Sequence, residues 1–306
     1  VIFLDCGSSS HSAIKYLKSK NISSLIIDHH NTLTPYPLSN VFINPKKDVD
    51  YKNYDYLCTT FITYMFIDLY IKLDKSKYIL EDDQIYVLLA TIADVMPLRG
   101  INKILAVNVI KNFDINKNFI FKNLFKILNI KKKLEINDLA FKIAPLLNSA
   151  GRLENANMIV EMLTTKSKTN ITKIISKISN LNNQRKLIEK RILDKFDFDN
   201  LYNQKGVITI YSPNIHEGVI GIIASRIKEY YNKPSIVFTN SGNSLKGSAR
   251  STFDFNIGEY INKALNKEII IKGGGHNLAA GITILKKNLD KFKEFINTYY
   301  EKNDNF

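Results

Sequence analysis

Apolar runs of strand length alternate with amphipathic segments along the first part of the chain. Three runs have the composition of short buried strands: residues 1–4, 25–27 and 41–43. Segments with helical spacing lie between and after them: residues 13–20, 56–73 and 83–95. We expect this alternation to extend to about Thr165. Such a pattern is typical of an α/β domain built on a parallel sheet.

A long amphipathic helix is predicted over residues 170–196. Its apolar stripe, with nearly helical spacing, comprises Ile171, Ile174, Ile175, Ile178, Leu181, Ile188, Ile192 and Phe196. Strand patterns return at residues 207–211, 235–238 and 269–271, and a helix starting at Gly218 separates the first two. We predict a parallel-sheet domain over 1–165, a connector helix over 166–198 and a smaller α/β domain over 199–306. A surface helix packed on one domain is the alternative for residues 170–196.

Length and composition agree with two domains of a soluble protein. The chain has 306 residues, of which 45% are hydrophobic, and this length can bury a large core. No apolar run is long enough to cross a membrane, and we expect no signal peptide before the first strand. Two cysteines are too few for a disulfide framework, so a reducing cytoplasm is expected. The chain opens on Val1 rather than methionine, so we expect a fragment.

Polar side chains follow the first two predicted strands. Asp5 comes directly after the first strand, and Asp28-His29-His30 follows the second. Parallel strands bring their carboxyl ends to one edge of the sheet, where ligands bind. Asp94 lies at the end of an apolar helix that Pro97 stops. We expect Asp5 and the Asp28-His29-His30 triplet to lie side by side in a site for manganese or magnesium. Asp94 by itself is more simply a helix cap or one member of an ion pair. Helix caps and buried strand ends are the simpler alternative.

Charge and glycine content point to an anionic partner. The net charge is +14, which favours nucleic acid, although a generally Lys-rich and Asn-rich composition would also produce it. Only six arginines occur, and three of them, Arg152, Arg226 and Arg250, lie in Gly/Ser-rich motifs. Gly273-Gly274-Gly275-His276 is expected to form a loop whose N–H groups face an anion. Clustering with His216 and Ser248 supports phosphate binding, and tight-turn packing is the alternative.

An ordered set of motifs resembles the RecJ-type exonucleases of the DHH phosphoesterase superfamily. The motifs are Leu4-Asp5-Cys6-Gly7, Asp28-His29-His30, Asn44-Pro45-Lys46, and residues 91–98, 144–152, 216–226, 273–276 and 279–281. They run in family order across nearly the whole chain. The resemblance implies a DHH domain in the first half and a DHH-associated domain in the second. It also implies 5′→3′ hydrolysis of single-stranded DNA, in DNA repair and recombination, by a two-metal mechanism.

The resemblance assigns roles to individual residues. Asp5 would bridge two Mn²⁺ or Mg²⁺ ions, and His29 and Asp94 would ligate one of them. We therefore expect Asp5, His29 and Asp94 to converge on one edge of the parallel sheet. Asp28 and His30 would support the site or contact the scissile phosphate. Substrate phosphates would be held, with Arg152 near the 5′ end, by Arg152, His216, Arg226, Ser248, Arg250, Gly274, Gly275 and His276. We further expect Arg152 and Arg250 to face the Asp5 cluster across a groove between the two halves.

Two differences from the family pattern leave other functions possible. The family carries an earlier Asp-x-Asp motif and usually an oligonucleotide-binding fold, and neither is found here. We therefore expect this chain alone to degrade DNA more slowly than a version extended upstream. An oligoribonuclease, a cyclic-dinucleotide phosphodiesterase, and a catalytically impaired nucleic-acid-binding fragment are the alternatives. A single-strand-binding protein is a candidate partner, no membrane partner is expected, and a monomer is the default expectation.

Overall fold

The computed structural model describes residues 1–32, 34–47, 53–75, 78, 80–195 and 206–303. The chain divides into two compact units. The first comprises Val1–Leu147 and Met162–Ser176, and the second comprises Asn148–Glu161 and Lys177–Phe306. The segment around Arg152 therefore belongs to the second unit. The domain limits proposed from the sequence stay a prediction.

The first unit contains a parallel sheet of three short strands. These are β1 (Ile2–Leu4), β2 (Leu25–Ile27) and β3 (Val41–Ile43), and they lie in the order β1-β2-β3. Helix α1 (His11–Ser19) connects β1 to β2, and its Ile14 is buried, as are Ile26 and Ile27 of the central strand. Because all three strands run the same way, the residues that follow them meet at one edge of the sheet.

The rest of the first unit is helical. The helices from here to the middle of the chain are α2 (Thr59–Asp74), α3 (Gln84–Ala93), α4 (Gly100–Asn112), α5 (Phe119–Ile127), α6 (Ile136–Asp138), α7 (Ala144–Leu153), α8 (Asn157–Thr164) and α9 (Lys168–Leu193). The expected alternation of strands and helices up to Thr165 is therefore wrong after Ile43, since no strand occurs in the described residues from 53 to 164. The apolar residues there, such as Leu88 and Leu124, are buried on helix faces.

A π-helical segment, Leu139–Ile143, precedes α7. Pro145 has no N–H group and so cannot donate to the carbonyl of Phe141, four residues earlier. The N–H of Ala144 instead reaches back to the carbonyl of Leu139, which widens the turn. Phe141 is left 77% exposed.

The second unit is built on a mixed five-stranded sheet. Its strands are β4 (Ile208–Tyr211), β5 (Ser235–Ser241), β6 (Ser244–Arg250), β7 (Lys272–His276) and β8 (Ala279–Ile284). They lie in the order β4-β5-β6-β8-β7, and only β4 and β5 are parallel. Helix α10 (Ile220–Tyr231) connects those two parallel strands.

Two expectations for this sheet are wrong. Residues 269–271 are not a strand, because Ile269 and Ile270 follow the end of a helix and are buried in the core instead of pairing. The glycine run predicted as a loop is the edge strand β7, which pairs with β8. Non-local pairing overrides the turn propensity of glycine at this point.

The two faces of the sheet have different surroundings. One face packs against α11 (Ile257–Asn266) and α12 (Leu289–Asn303), and Phe238, Ile282 and Phe292 lie in that core. On the other face, Val237 packs against α10. Side chains of β6 and β7 on that second face are mostly exposed or half-buried.

The three glycines of β7 differ in the space around them. A Cβ on Gly273 would lie 2.6 Å from Cδ1 of Ile270, and one on Gly275 would lie 2.2 Å from the backbone oxygen of Ala279. A Cβ on Gly274 would meet nothing within 4 Å. Close packing therefore explains Gly273 and Gly275 but leaves Gly274 unexplained.

Alanine substitutions in β7 test this difference. We expect Gly275→Ala to destabilise the protein by about 1–3 kcal/mol, because the added methyl overlaps backbone atoms that cannot move away. Gly274→Ala is the matched control and should change stability by less than about 0.5 kcal/mol. Thermal unfolding monitored by circular dichroism measures both. Equal effects of the two substitutions would contradict this account of the glycine run.

Candidate metal centre and anion pocket

Asp5 lies in the turn directly after β1. Its backbone has φ of 60°, and its N–H donates to the carbonyl of Ile27 at 3.1 Å. Asp tolerates this left-handed conformation better than most residues. The turn leaves the carboxylate of Asp5 largely exposed at the sheet edge.

His29 lies between two carboxylates. Its ring is buried, and Nε2 is 3.4 Å from Oδ1 of Asp5 and 3.2 Å from Oδ2 of Asp94. Asp94 ends α3, where its N–H donates to the carbonyl of Ala90. The next residue, Val95, has φ of 55°, a strained conformation for a β-branched residue that often marks a functional site. The expected convergence of Asp5, His29 and Asp94 is thus confirmed.

The carboxylate of Asp28 organises the backbone around this cluster. Oδ1 accepts the backbone N–H of His29 at 2.8 Å and contacts Nδ1 of His30 at 2.7 Å. Oδ2 accepts the N–H of Ser8 at 3.1 Å. Burial opposes the charge of Asp28, but the hydrogen bonds from His30 and Ser8 outweigh it and hold the pKa of Asp28 well below its usual range. Asp28 therefore orients the ring of His30 and holds the backbone of His29.

Asn44 is a supporting residue whose role the sequence did not reveal. Its Nδ2 donates to Oγ of Ser8 at 3.0 Å and to the carbonyl of His30 at 2.9 Å. Its Oδ1 accepts the N–H of Lys46 at 2.9 Å. Asn44 follows β3 directly, so it reaches the same sheet edge as Asp5 and Asp28. Its position after a strand is the signal that could have identified it.

The donor atoms around His29 fit a divalent ion. Ligands that share an octahedral ion at about 2.1 Å lie about 3 Å apart, close to the two separations measured from Nε2. Donor atoms of Asp5, His29 and His30 lie within 4.8 Å of one another. Burial lowers the pKa of His29 despite the nearby Asp94 carboxylate, which favours the neutral imidazole that ligates metals. Burial also raises the pKa of Asp94, and a cation would relieve the crowding of its charge beside Asp5.

A second candidate site lies entirely within the second unit. A cavity of about 250 Å³ is lined by residues of α7, α10 and β6, namely Arg152, Gly221, Ile222, Ser225, Arg226, Glu229 and Arg250; we call it the anion pocket. Nη1 of Arg250 donates to Oγ of Ser248 at 3.1 Å, which places Ser248 beside the pocket. A Cβ on Gly221 would lie 3.0 Å from both Arg250 Nη2 and Ser248 Oγ. Glycine there allows α10 to approach the strand.

The three arginines of the anion pocket have unequal partners. Nη1 of Arg152 donates to the carbonyl of Gly218 at 3.1 Å, and Nη1 of Arg250 donates to the carbonyl of Ala249 at 2.8 Å. Neither pairs with a carboxylate among the described residues, and burial lowers the pKa of both guanidinium groups. Arg226 instead pairs with Glu189 at 2.8 Å and Glu229 at 3.4 Å. Arg152 and Arg250 are therefore the cations with charge available for a ligand.

The remaining predicted phosphate residues lie near the same sheet face or the start of α10. In the strand register, Arg250 pairs with Ala279, which pairs with His276, and Ser248 pairs with Gly281, which pairs with Gly274. Residues in register share a face of the sheet, so Ser248, Arg250, Gly274 and His276 do so. Gly275 belongs to the opposite, packed face. His216 is exposed, and its Nδ1 accepts the N–H of Gly218 at 3.1 Å.

Comparison with known proteins identifies the two units. Residues 1–95 match the profile of the DHH family, N-terminal domain, and residues 203–302 match that of the DHHA1 domain. The chain belongs to the DHH family. This agrees with the Asp28-His29-His30 triplet at the metal centre and with the glycine-rich strand of the second unit.

Curated relatives of this DHH-family chain carry one name. This chain is 30% identical over 315 residues to the single-stranded-DNA-specific exonuclease RecJ of Haemophilus influenzae, and the match covers 96% of this chain and 54% of that protein. The RecJ of Escherichia coli is also 30% identical, over 323 residues, with the same two coverages. The chain thus spans about half the length of the curated relatives it matches.

Solved structures confirm the predicted fold class. RecJ from Thermus thermophilus in complex with Mn²⁺ superposes with a TM-score of 0.87 at 24% identity, over 98% of this chain and 44% of that one. A second exonuclease RecJ bound to manganese has a TM-score of 0.77 at 24% identity, over 98% of this chain and 74% of that one. A parallel-sheet DHH domain, a long helix and an α/β DHH-associated domain are therefore shared.

The Asp28–His30 pair predicts a pH dependence of stability in the presence of a chelator. The hydrogen bond that Nδ1 of His30 donates to Asp28 raises the pKa of His30, so its contribution to stability is complete below the unfolded pKa of about 6.5 and is lost as pH rises through the folded pKa. Asp28 itself stays ionised in both states across this window. We expect the difference in melting temperature between wild type and Asp28→Asn to be larger at about pH 6 than at about pH 9.

Asp68→Asn is the matched control for this measurement. It removes the same charge from an exposed ion pair with Lys72 on α2, and its effect on the melting temperature should not change in that pH range. A difference between wild type and Asp28→Asn that is the same at both pH values would contradict the assignment of the Asp28–His30 pair.

Proposed function

We propose that this chain hydrolyses phosphodiester bonds of single-stranded DNA from the 5′ end with the help of Mn²⁺ or Mg²⁺. The observation that carries the proposal is the meeting of carboxylate oxygens of Asp5 and Asp94 at Nε2 of His29. The curated relatives named as single-stranded-DNA-specific exonucleases support the substrate and the reaction.

The residues of the metal centre divide into ligands and supports. Asp5, His29 and Asp94 would hold the metal, while Asp28 fixes the backbone of His29 and the imidazole of His30. Nδ1 of His30 contacts Asp28, and His30 would support the site or contact the scissile phosphate. Ions bound there supply charge stabilisation and lower the pKa of water, the two contributions that phosphodiester hydrolysis needs.

The anion pocket and the open sheet face suit the backbone of a single strand. Arg152 and Arg250 offer guanidinium groups without carboxylate partners in the described part of the chain, and Arg forks bind phosphate oxygens in pairs. Ser248 and His276 add polar groups on the same face as Arg250. Gly274 leaves bare backbone there, which lets a phosphate approach closely. Arg226 would contribute from the wall of the anion pocket, and His216 would contribute from beside the start of α10.

The wider setting follows from the same proposal. A role in DNA repair and recombination accords with exonucleolytic removal of single strands. Cys6 and Cys58 are both free thiols, as in a reducing cytoplasm. Among the described residues, no helix is long and apolar enough to cross a membrane. A single-strand-binding partner and a monomeric state stay predictions.

Hydrolysis of 5′-labelled single-stranded DNA in the presence of manganese tests the metal centre. We expect the wild-type chain to release labelled nucleotides, and His29→Ala and Asp94→Asn to lower the rate by about 100-fold or more. Their loss removes a ligand whose ion contributes several kcal/mol to the transition state. Manganese should also raise the melting temperature of wild type but not of these variants.

Asp68→Asn, which alters an exposed ion pair of the same unit, should leave the rate and the response to manganese unchanged. RNA and duplex DNA of equal length serve as comparison substrates, and faster hydrolysis of RNA would favour an oligoribonuclease instead. The proposal fails if hydrolysis and metal-induced stabilisation are the same in wild type and Asp94→Asn.

The salt dependence of binding tests the anion pocket. We expect Arg250→Ala to weaken binding of an oligodeoxythymidylate and to reduce the slope of log K against log salt by about 0.7, the value for one contact with a single-stranded phosphate. Lys293→Ala is the control, because Lys293 pairs with Asp290 on α12, and it should leave the slope unchanged. An unaltered slope in Arg250→Ala would show that Arg250 has a structural role only.

A further inference from the structure

Polar residues interrupt the apolar face of α9 where it packs in the second unit. Leu181 continues the buried stripe, but Asn182, Arg185 and Glu189 are buried as well. Their spacing of three and four residues places them on one face of the helix. Ile188 and Ile192 beside them pack against the core that includes α10. The buried polar group therefore faces α10, which carries Arg226.

Glu189 joins two guanidinium groups. Its Oε1 accepts from Nε of Arg226 at 2.8 Å, and its Oε2 accepts from Nη1 of Arg185 at 3.2 Å. Nε of Arg185 donates to Oδ1 of Asn182 at 3.1 Å. Glu189 is 8% exposed and Arg185 is 9% exposed. Both carboxylate oxygens are thus engaged by arginines, and one of these arginines lines the anion pocket.

Stability alone is a poor explanation for this arrangement. Burying charged groups costs free energy that pairing only partly recovers, so an apolar replacement is often as stable. Within a helix, an acid placed four residues after a base is the weaker orientation of such a pair. The exposed Glu229 already provides Arg226 with a carboxylate on its own helix. A buried charge retained here is better explained by its effect on Arg226 than by its own contribution to folding.

We propose that Glu189, braced by Arg185 and Asn182, is a positioning residue that fixes the guanidinium of Arg226 at the wall of the anion pocket. This inference rests on the proposed function, since it concerns how that pocket receives a phosphate of single-stranded DNA. The guanidinium of Arg226 is held by Glu189 through Nε and by Glu229 through Nη1. The flexible side chain is then held in one place before the ligand arrives, which lowers the entropic cost of binding.

Removing the charge of Glu189 should change the affinity for DNA in opposite directions, depending on whether Glu189 positions Arg226 or only adds negative charge near the pocket. Replacing Glu189 with Gln adds one unit of positive charge near the pocket, which by itself should tighten binding of an anionic strand. Loss of positioning should weaken binding. We therefore expect Glu189→Gln to bind an oligodeoxythymidylate about tenfold more weakly, as loss of a charge-assisted hydrogen bond implies. Glu259→Gln is the matched control, because it removes the same charge from an exposed ion pair with Lys263 outside the anion pocket, and it should leave the affinity nearly unchanged.

Fluorescence anisotropy with a labelled oligodeoxythymidylate at several salt concentrations measures these affinities, and thermal melting confirms that each variant is folded. If Glu189→Gln does not fold, Glu189→Asp takes its place, because it keeps the charge but is too short to hold both arginines. Weaker binding by a folded Glu189 variant supports the proposal. Equal or tighter binding overturns it.

A double-mutant cycle with Arg226→Lys shows whether Glu189 acts through Arg226. Lys keeps the charge but lacks the planar fork, so adding Glu189→Gln to Arg226→Lys should change affinity by less than about twofold. If each substitution instead lowers the affinity by its own factor and the two factors multiply in the double variant, Glu189 has a structural role and the inference is overturned. The affinity of the wild-type protein separates failure of the proposed function from failure of the positioning role of Glu189. If wild type does not bind the oligonucleotide, the proposed function fails, whereas normal binding by both wild type and Glu189→Gln rejects positioning alone.

Discussion

The hydrogen bonds accepted by the buried carboxylate of Asp28 are the interactions on which the candidate metal centre depends. Asp28 follows β2, the central strand, and its two oxygens bind the backbone that leaves β1 and the histidines that follow β2. A buried charge is tolerated only when its oxygens are satisfied, and here they are. The network explains why two residues of the triplet can point outward as functional groups while the first points inward.

The residues that would bind the metal have features that lower the stability of the fold. Asp5 and Val95 both adopt positive φ angles, and two carboxylates approach the same imidazole. In the absence of a cation these features are unfavourable, because they combine backbone strain with crowded negative charge. The hydrogen bonds made by Asp28 and Asn44 hold the segment in place against that cost. A rigid support under a strained set of ligands is the arrangement expected for a preformed metal site.

The second unit handles charge in a different way. Its sheet is covered on one face by two helices, and α10 covers part of the other, so the open part of that face carries Ser248, Arg250 and His276. Two arginines, Arg152 and Arg250, have only neutral partners in the described residues, whereas a third is tied to carboxylates. Because their partners differ, Arg152 and Arg250 are available to a ligand, whereas Arg226 is held in position by Glu189 and Glu229.

Local pattern in the sequence was enough to predict much of this molecule. The bounds of β3 and the approximate extents of α2, α3 and α9 follow from apolar periodicity, because a helix or strand must bury one face. The convergence of Asp5 and His29 follows from the geometry of parallel strands. The family resemblance added Asp94, whose position at a helix end carried only a weak signal of its own.

Only the tertiary structure decided features that depend on distant partners. The glycine run is an edge strand because β8 pairs with it and Ala279 lies close to Gly275, and neither contact can be read from glycine itself. Arg226 differs from Arg250 because Glu189, 37 residues away in the chain, lies beside it. The interruption of the apolar stripe at Asn182 and Arg185 was visible in the sequence, but its meaning was not. Periodicity reports which face is buried, whereas the partner of a buried charge is fixed by packing between elements.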